Sequence, residues 1–142
     1  MFLSSKEKAF LDNSAAPDTQ VLANMSWRAE ALNVLAWVLG LYDSLQDAKT
    51  TVETSDLAAT LTKFSEARVE AVKPALRSTV EILDALDLTY RLHWTTEDAR
   101  LTGDSTPEVS ADIISERHYA LNRLTGFNNT PGTAWDDIDT PT

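Results

Sequence analysis

Leu86–Gly103, LDLTYRLHWTTEDARLTG, is the stretch whose reading decides the fold. At 100° per residue, Leu76, Val80, Leu83, Leu86, Tyr90, Trp94 and Leu101 fall on one stripe, while Ala85, Leu88, Leu92 and Ala99 lie roughly opposite. A helix apolar on two sides is ordinarily wrapped by neighbours on both. The stretch is therefore expected to form a central long helix, ended by Gly103.

The segments around it read as further helices. Ser4-Ser5-Lys6-Glu7 has capping-box spacing and opens a short helix that Asn13–Pro17 breaks. A second helix runs from an Asp18 or Thr19 cap to Leu39, with Gly40 as its left-handed terminator. Its apolar face is read as Leu22, Met25, Ala29, Leu32, Leu35 and Leu39, and its polar face as Ser26, Glu30, Asn33 and Trp37. Leu41–Leu45 continues as a short helical turn, and Gln46–Ser55 reads as a loop. A third helix carries Leu57, Leu61 and Phe64, with Pro74 in the first turn of the long helix. Ser110 caps the last helix, Ala111 to Thr125, which Gly126 ends; Ile113, Ala120, Leu121 and Leu124 form its inner face. The expectation is one all-α domain over residues 1–142, a compact bundle of about five helices, with an irregular tail over 128–142 pinned by Trp135.

The net charge of −10 argues against a duplex nucleic-acid binder and suits a basic protein partner. With no cysteine, disulfides, thiolate metal sites and cysteine nucleophiles are excluded. No apolar run reaches the length of a membrane span, and the start shows no secretory pattern, so a cytoplasmic location is expected. The sequons at Asn24 and Asn128 then read as chance matches.

Several charged residues sit oddly. Arg28 and Arg117 project among apolar helix faces, where each either snorkels or needs a carboxylate; Asp98, Glu116, Asp136 and Asp137 are the candidates. Asp84, Asp87, Arg91 and Asp98 form a ribbon along the long helix. His93 and Glu97 have metal-permissive spacing, with Glu116 and His118 as further ligands, but the Glu-x-x-His pairs of di-metal bundles are missing, and neither metal nor cofactor is expected. No P-loop, dinucleotide fingerprint or nucleophile elbow is present.

Trp27-Arg28-Ala29-Glu30-Ala31-Leu32 with Trp37-Val38-Leu39-Gly40, then Tyr90-Arg91-Leu92-His93-Trp94 with Asp98-Ala99-Arg100-Leu101 and Gly103, form two motifs. Glu116-Arg117-His118 with Ala120-Leu121-Asn122, and Trp135-Asp136-Asp137, form two more. In order and spacing they resemble the bacterial domain of unknown function 4272, from Leu3 onward. Arg123 stands where that family tends to have tryptophan, and Glu97 where it tends to have arginine. The resemblance implies a mostly helical bacterial protein and no particular activity. The motif residues coincide with the oddly placed ones, giving a candidate polar network or pocket: Arg28, Tyr90, Arg91, His93, Trp94, Asp98, Glu116, Arg117, His118, Asn122, Trp135, Asp136 and Asp137. Two functions are open: an acidic interaction module, such as a neutraliser of a basic toxin or a regulatory subunit, or an enzyme or ligand-binding protein with a pocket around His93, Arg117 and His118.

Overall fold

A computed structural model describes residues 3–13, 16–67, 75–104, 108–130 and 132–142. Among these residues it holds five α-helices and a terminal 3-10 turn, with no strand: α1 (Ser5–Asp12), α2 (Thr19–Val38), α3 (Thr54–Glu66), α4 (Thr79–Thr102), α5 (Ala111–Thr125) and the turn Trp135–Asp137. The all-α bundle is as expected. Val69–Val72 and Pro74 lie outside the described residues, so that junction is not described.

The helix boundaries follow local chemistry. Ser4 and Glu7 form the capping box of α1, and Asp18 caps α2 through the amide of Gln20. A second capping box, Ser78 with Glu81, starts α4 later than the proline suggested, so Leu76 precedes the helix. Gly103 and Gly126, both left-handed, end α4 and α5.

The central position belongs to α5, not to the long helix. Helix α5 packs against both α2 and α4. Its fully buried Ile113, Ile114, Ala120 and Leu121 form the middle of the molecule. Helix α4 buries one face only, through Leu86, Thr89, His93, Thr96 and Ala99, and leaves Val80, Leu83, Leu88, Trp94 and Leu101 exposed. Helix α2 is also turned relative to expectation. Glu30, Asn33 and Trp37, read as a polar outer face, are buried with Ala31, Val34 and Val38, whereas Leu22 and Leu32 are exposed. Leu124 of α5 is exposed as well.

The reason lies in the connection between α2 and α3. Leu41–Leu45 is not helical, and the chain from Leu41 to Glu53 is a largely exposed loop that enters the core at Ala48 and Val52. Where the loop enters the core its backbone polar groups must be hydrogen-bonded, and the odd charged residues do this. Glu30 Oε1 accepts the Val52 amide at 2.6 Å, and Arg117 Nη1 donates to the Gln46 carbonyl at 2.7 Å. The amide of Ser110 reaches the Ala48 carbonyl at 2.6 Å.

Arg77 closes the end of α2. Its guanidinium lies 5.5 Å from the Trp37 ring centroid and donates to the carbonyls of Tyr42 at 2.5 Å and Asp43 at 2.8 Å. This approach leaves little room at Gly40, which has φ +73°, and whose added Cβ would run into the Ala75 carbonyl oxygen. Gly40→Ala is therefore expected to cost more than the ~1–2 kcal/mol of a left-handed L-residue alone. Gly103→Ala, with the same conformation and open space around it, should cost no more than that strain. Chemical denaturation of the two variants tests the ranking.

Candidate functional site

Arg28 organises the end of the molecule where α1, α2, α5 and the tail meet. Its guanidinium pairs with Glu7 of α1 at 2.9 Å and with Asp136 of the 3-10 turn at 2.7 Å, with a fifth of the side chain exposed. Asp136 also accepts the Lys6 amide at 2.9 Å. These hydrogen bonds outweigh desolvation and hold its carboxyl below the usual aspartate range. Helix α1 buries no residue; ionic and amide contacts to Arg28 and Asp136 fasten it instead. Trp135 stacks edge-on against Tyr119 at 5.5 Å and packs on the Ala31–Val34–Leu121 core. Asn122 donates to the Asp139 carbonyl at 2.8 Å, so the tail lies along α5.

A cleft of about 580 Å³ opens beside this junction. Phe10, Trp27, Tyr119 and Trp135 supply its aromatic walls, and Met25 a flexible one. Lys6, Arg28, Glu116 and Asp136 supply its charge, two cations and two carboxylates. Glu7 and Asp136 already neutralise Arg28, whereas Glu116 makes no ion pair or hydrogen bond among the described residues. Burial pushes the Glu116 carboxyl above its usual range, opposed by the nearby Arg28 charge.

A second polar group is sealed inside the bundle. His93 Nδ1 and His118 Nδ1 lie 2.8 Å apart, with the rings perpendicular. One nitrogen must donate and the other accept, so the contact survives one charged ring but not two, since two imidazolium rings would face N–H to N–H. Desolvation lowers the pKa of both, and that of His118, also opposed by His93, falls to about 4. Tyr90 covers the pair with an edge contact to His118.

The candidate residues thus divide. Arg28, Glu116, Trp135 and Asp136 meet at the cleft, and His93 and His118 meet inside the bundle, with Tyr90 against them from the surface. Arg117 is buried but hydrogen-bonds a carbonyl rather than the expected carboxylate; no carboxylate lies within ion-pair distance among the described residues. Its nearest counter-charges are Glu30 and Asp47. Asp98 and Asp137 are exposed and belong to neither group. Arg91 and Trp94 are exposed on the far face of α4, where Arg91 pairs with Asp87 at 2.8 Å. Glu97 pairs with Arg100 at 2.7 Å. Among the described residues, no group of three or more histidine, aspartate or glutamate side chains could hold a metal ion. His93, Arg117 and His118 are too buried to present a ligand with a shared wall. Sequence reading missed Glu7, Tyr119 and Glu30; the capping box already marked Glu7, but in another role.

The chain is an all-α protein with an amphipathic cleft closed by its own N- and C-terminal segments. It belongs to the family described as domain of unknown function DUF4272, whose profile matches residues 1–138. No curated protein and no solved structure matches it. No helix among the described residues is long and apolar enough to cross a membrane.

Proposed function

We propose that this protein is an interaction module that binds a basic protein partner, a neutraliser or regulatory subunit by class, and that the cleft takes a lysine or arginine side chain of that partner. The observation that carries this reading is Glu116: a carboxylate without an ion-pair partner among the described residues, in a cleft that Trp27, Tyr119 and Trp135 also line. A cation in such a site gains both the carboxylate and the faces of the aromatic rings. The net charge of −10 supports it by steering a basic partner and raising the association rate. The buried His93–His118 pair does not compete with this reading, because neither ring is open to a substrate.

The test is a fluorescence-anisotropy titration with a labelled hexa-arginine peptide. Glu116→Gln is expected to weaken binding about 10-fold, the scale of one charge-assisted contact. Asp56→Asn, on exposed α3, should leave it unchanged. Affinity of the parent should fall as salt rises, mainly through the on-rate. Equal weakening by both substitutions would reduce the effect to general surface charge, and the cleft reading would be abandoned.

A further inference from the structure

The exposed face of α4 repeats with a period of seven. Val80, Leu83, Asp87, Tyr90, Trp94, Glu97 and Leu101 alternate at spacings of three and four, the a/d pattern of a helix that pairs with another helix. Much of this face is open: Val80 is 66 % exposed, Leu83 49 %, Trp94 52 % and Leu101 74 %, while Tyr90 at its edge leans on His118 of α5. Phe127 adjoins it, exposed and edge-on to Tyr90. Such a stripe costs solubility unless something covers it.

We propose that a second copy of this chain covers it, α4 against α4, antiparallel about a two-fold axis. The charges on the stripe select that occupant and that direction. A parallel, in-register pair would set Asp87 against Asp87 and Glu97 against Glu97 in its seam. An antiparallel pair shifted to bring Asp87 opposite Glu97 repeats the repulsion and brings Arg91 towards Arg91. The antiparallel register that sets Leu83 against Trp94 removes both like-charge contacts: Asp87 meets the Tyr90 hydroxyl, Glu97 lies opposite Val80 at the open ends of the seam, and Asp84 meets Arg91 on the flank. A two-fold axis makes each of these contacts twice. A hollow beside Tyr90, Arg91, Trp94 and Thr95 lies where Leu83 of the other copy enters as a knob. This seam is on a different face from the cleft and does not depend on the reading given to Glu116.

Sedimentation equilibrium of the full chain over the micromolar range tests the proposal. The parent is expected to be a dimer. Leu83→Asp or Trp94→Asp should be monomeric, with at least about 100-fold weaker association, while helicity and melting show that the exposed substitutions leave the fold intact. Arg91→Asp should weaken the dimer, and adding Asp84→Arg in the same chain should restore it; restoration reads the antiparallel register directly. The dimer should tighten as salt rises, because two copies of charge −10 repel, opposite to the trend expected for a basic partner. A parent that stays monomeric throughout overturns the proposal. So does a dimer indifferent to Trp94→Asp, or a face occupied by some other protein while the chain alone stays monomeric.

Discussion

Replacing Arg117 by alanine is expected to lower the unfolding free energy by about 3–5 kcal/mol, the cost of leaving a buried charge network without its cation. The side chain is buried in α5 and does two things there. It satisfies the Gln46 carbonyl at 2.7 Å, and its charge offsets Glu30, which is 1 % exposed and has one oxygen on the Val52 amide. Alanine removes the donor to the loop and leaves Glu30 in an apolar surrounding. Denaturant unfolding should show a lower midpoint at an unchanged slope. Glu30→Gln combined with Arg117→Ala should cost less than the sum of the two, because the double variant leaves no unpaired charge. Arg28→Ala, at the more exposed junction, should cost less than Arg117→Ala. A parental midpoint for Arg117→Ala would show that the loop does not need this residue.

Acid should destabilise the protein earlier than its carboxylates alone require. Unfolded, His118 takes a proton near its ordinary value of 6.5; folded, it resists until about 4. Between those values the unfolded chain binds more protons, so stability rises with pH and is lost as pH falls from 6.5 towards 4. The full loss from this group is about 3 kcal/mol, at 1.36 kcal/mol per pH unit. His93, lowered in the same direction by burial, adds to the slope. The first cause is burial, which denies the charged ring its solvation, and His93 adds to it: with Nδ1 facing Nδ1 at 2.8 Å, charging both rings would put two N–H groups head to head. Proton NMR of the histidine rings should show His118 untitrated near 6.5, and thermal melts should show stability falling over the same interval. His118→Asn should be less stable at neutral pH but should lose less over that interval. A His118 ring that titrates at its ordinary value would mean that the pair is not sealed.

The sequence by itself determined the helices. Capping chemistry at Ser4 and Asp18, and the glycines at 103 and 126, act within a turn of their own position, so helix existence and most ends could be read from neighbouring residues. It also marked Arg28, Arg117 and Trp135-Asp136 as residues needing an explanation, since a charge on an apolar face is odd whatever the fold. What it could not supply was which side of each helix turns inward. The apolar residues of α2 and α4 spread around more than one face, so periodicity alone left several rotations comparable. The tertiary structure decided between them through a long-range requirement: the loop over Leu41–Glu53 enters the core at Ala48 and Val52, and there the Val52 amide and the Gln46 carbonyl need Glu30 and Arg117 facing in. That rotation buries Glu30 and Asn33 and turns Leu22 and Leu32 out. It is also why α5, which touches both flanking helices, took the centre that the longer and more hydrophobic-looking α4 was expected to hold. Asp98 was misjudged for the same reason, since its place on the wheel was sound but the wheel carried no information about where α5 lies.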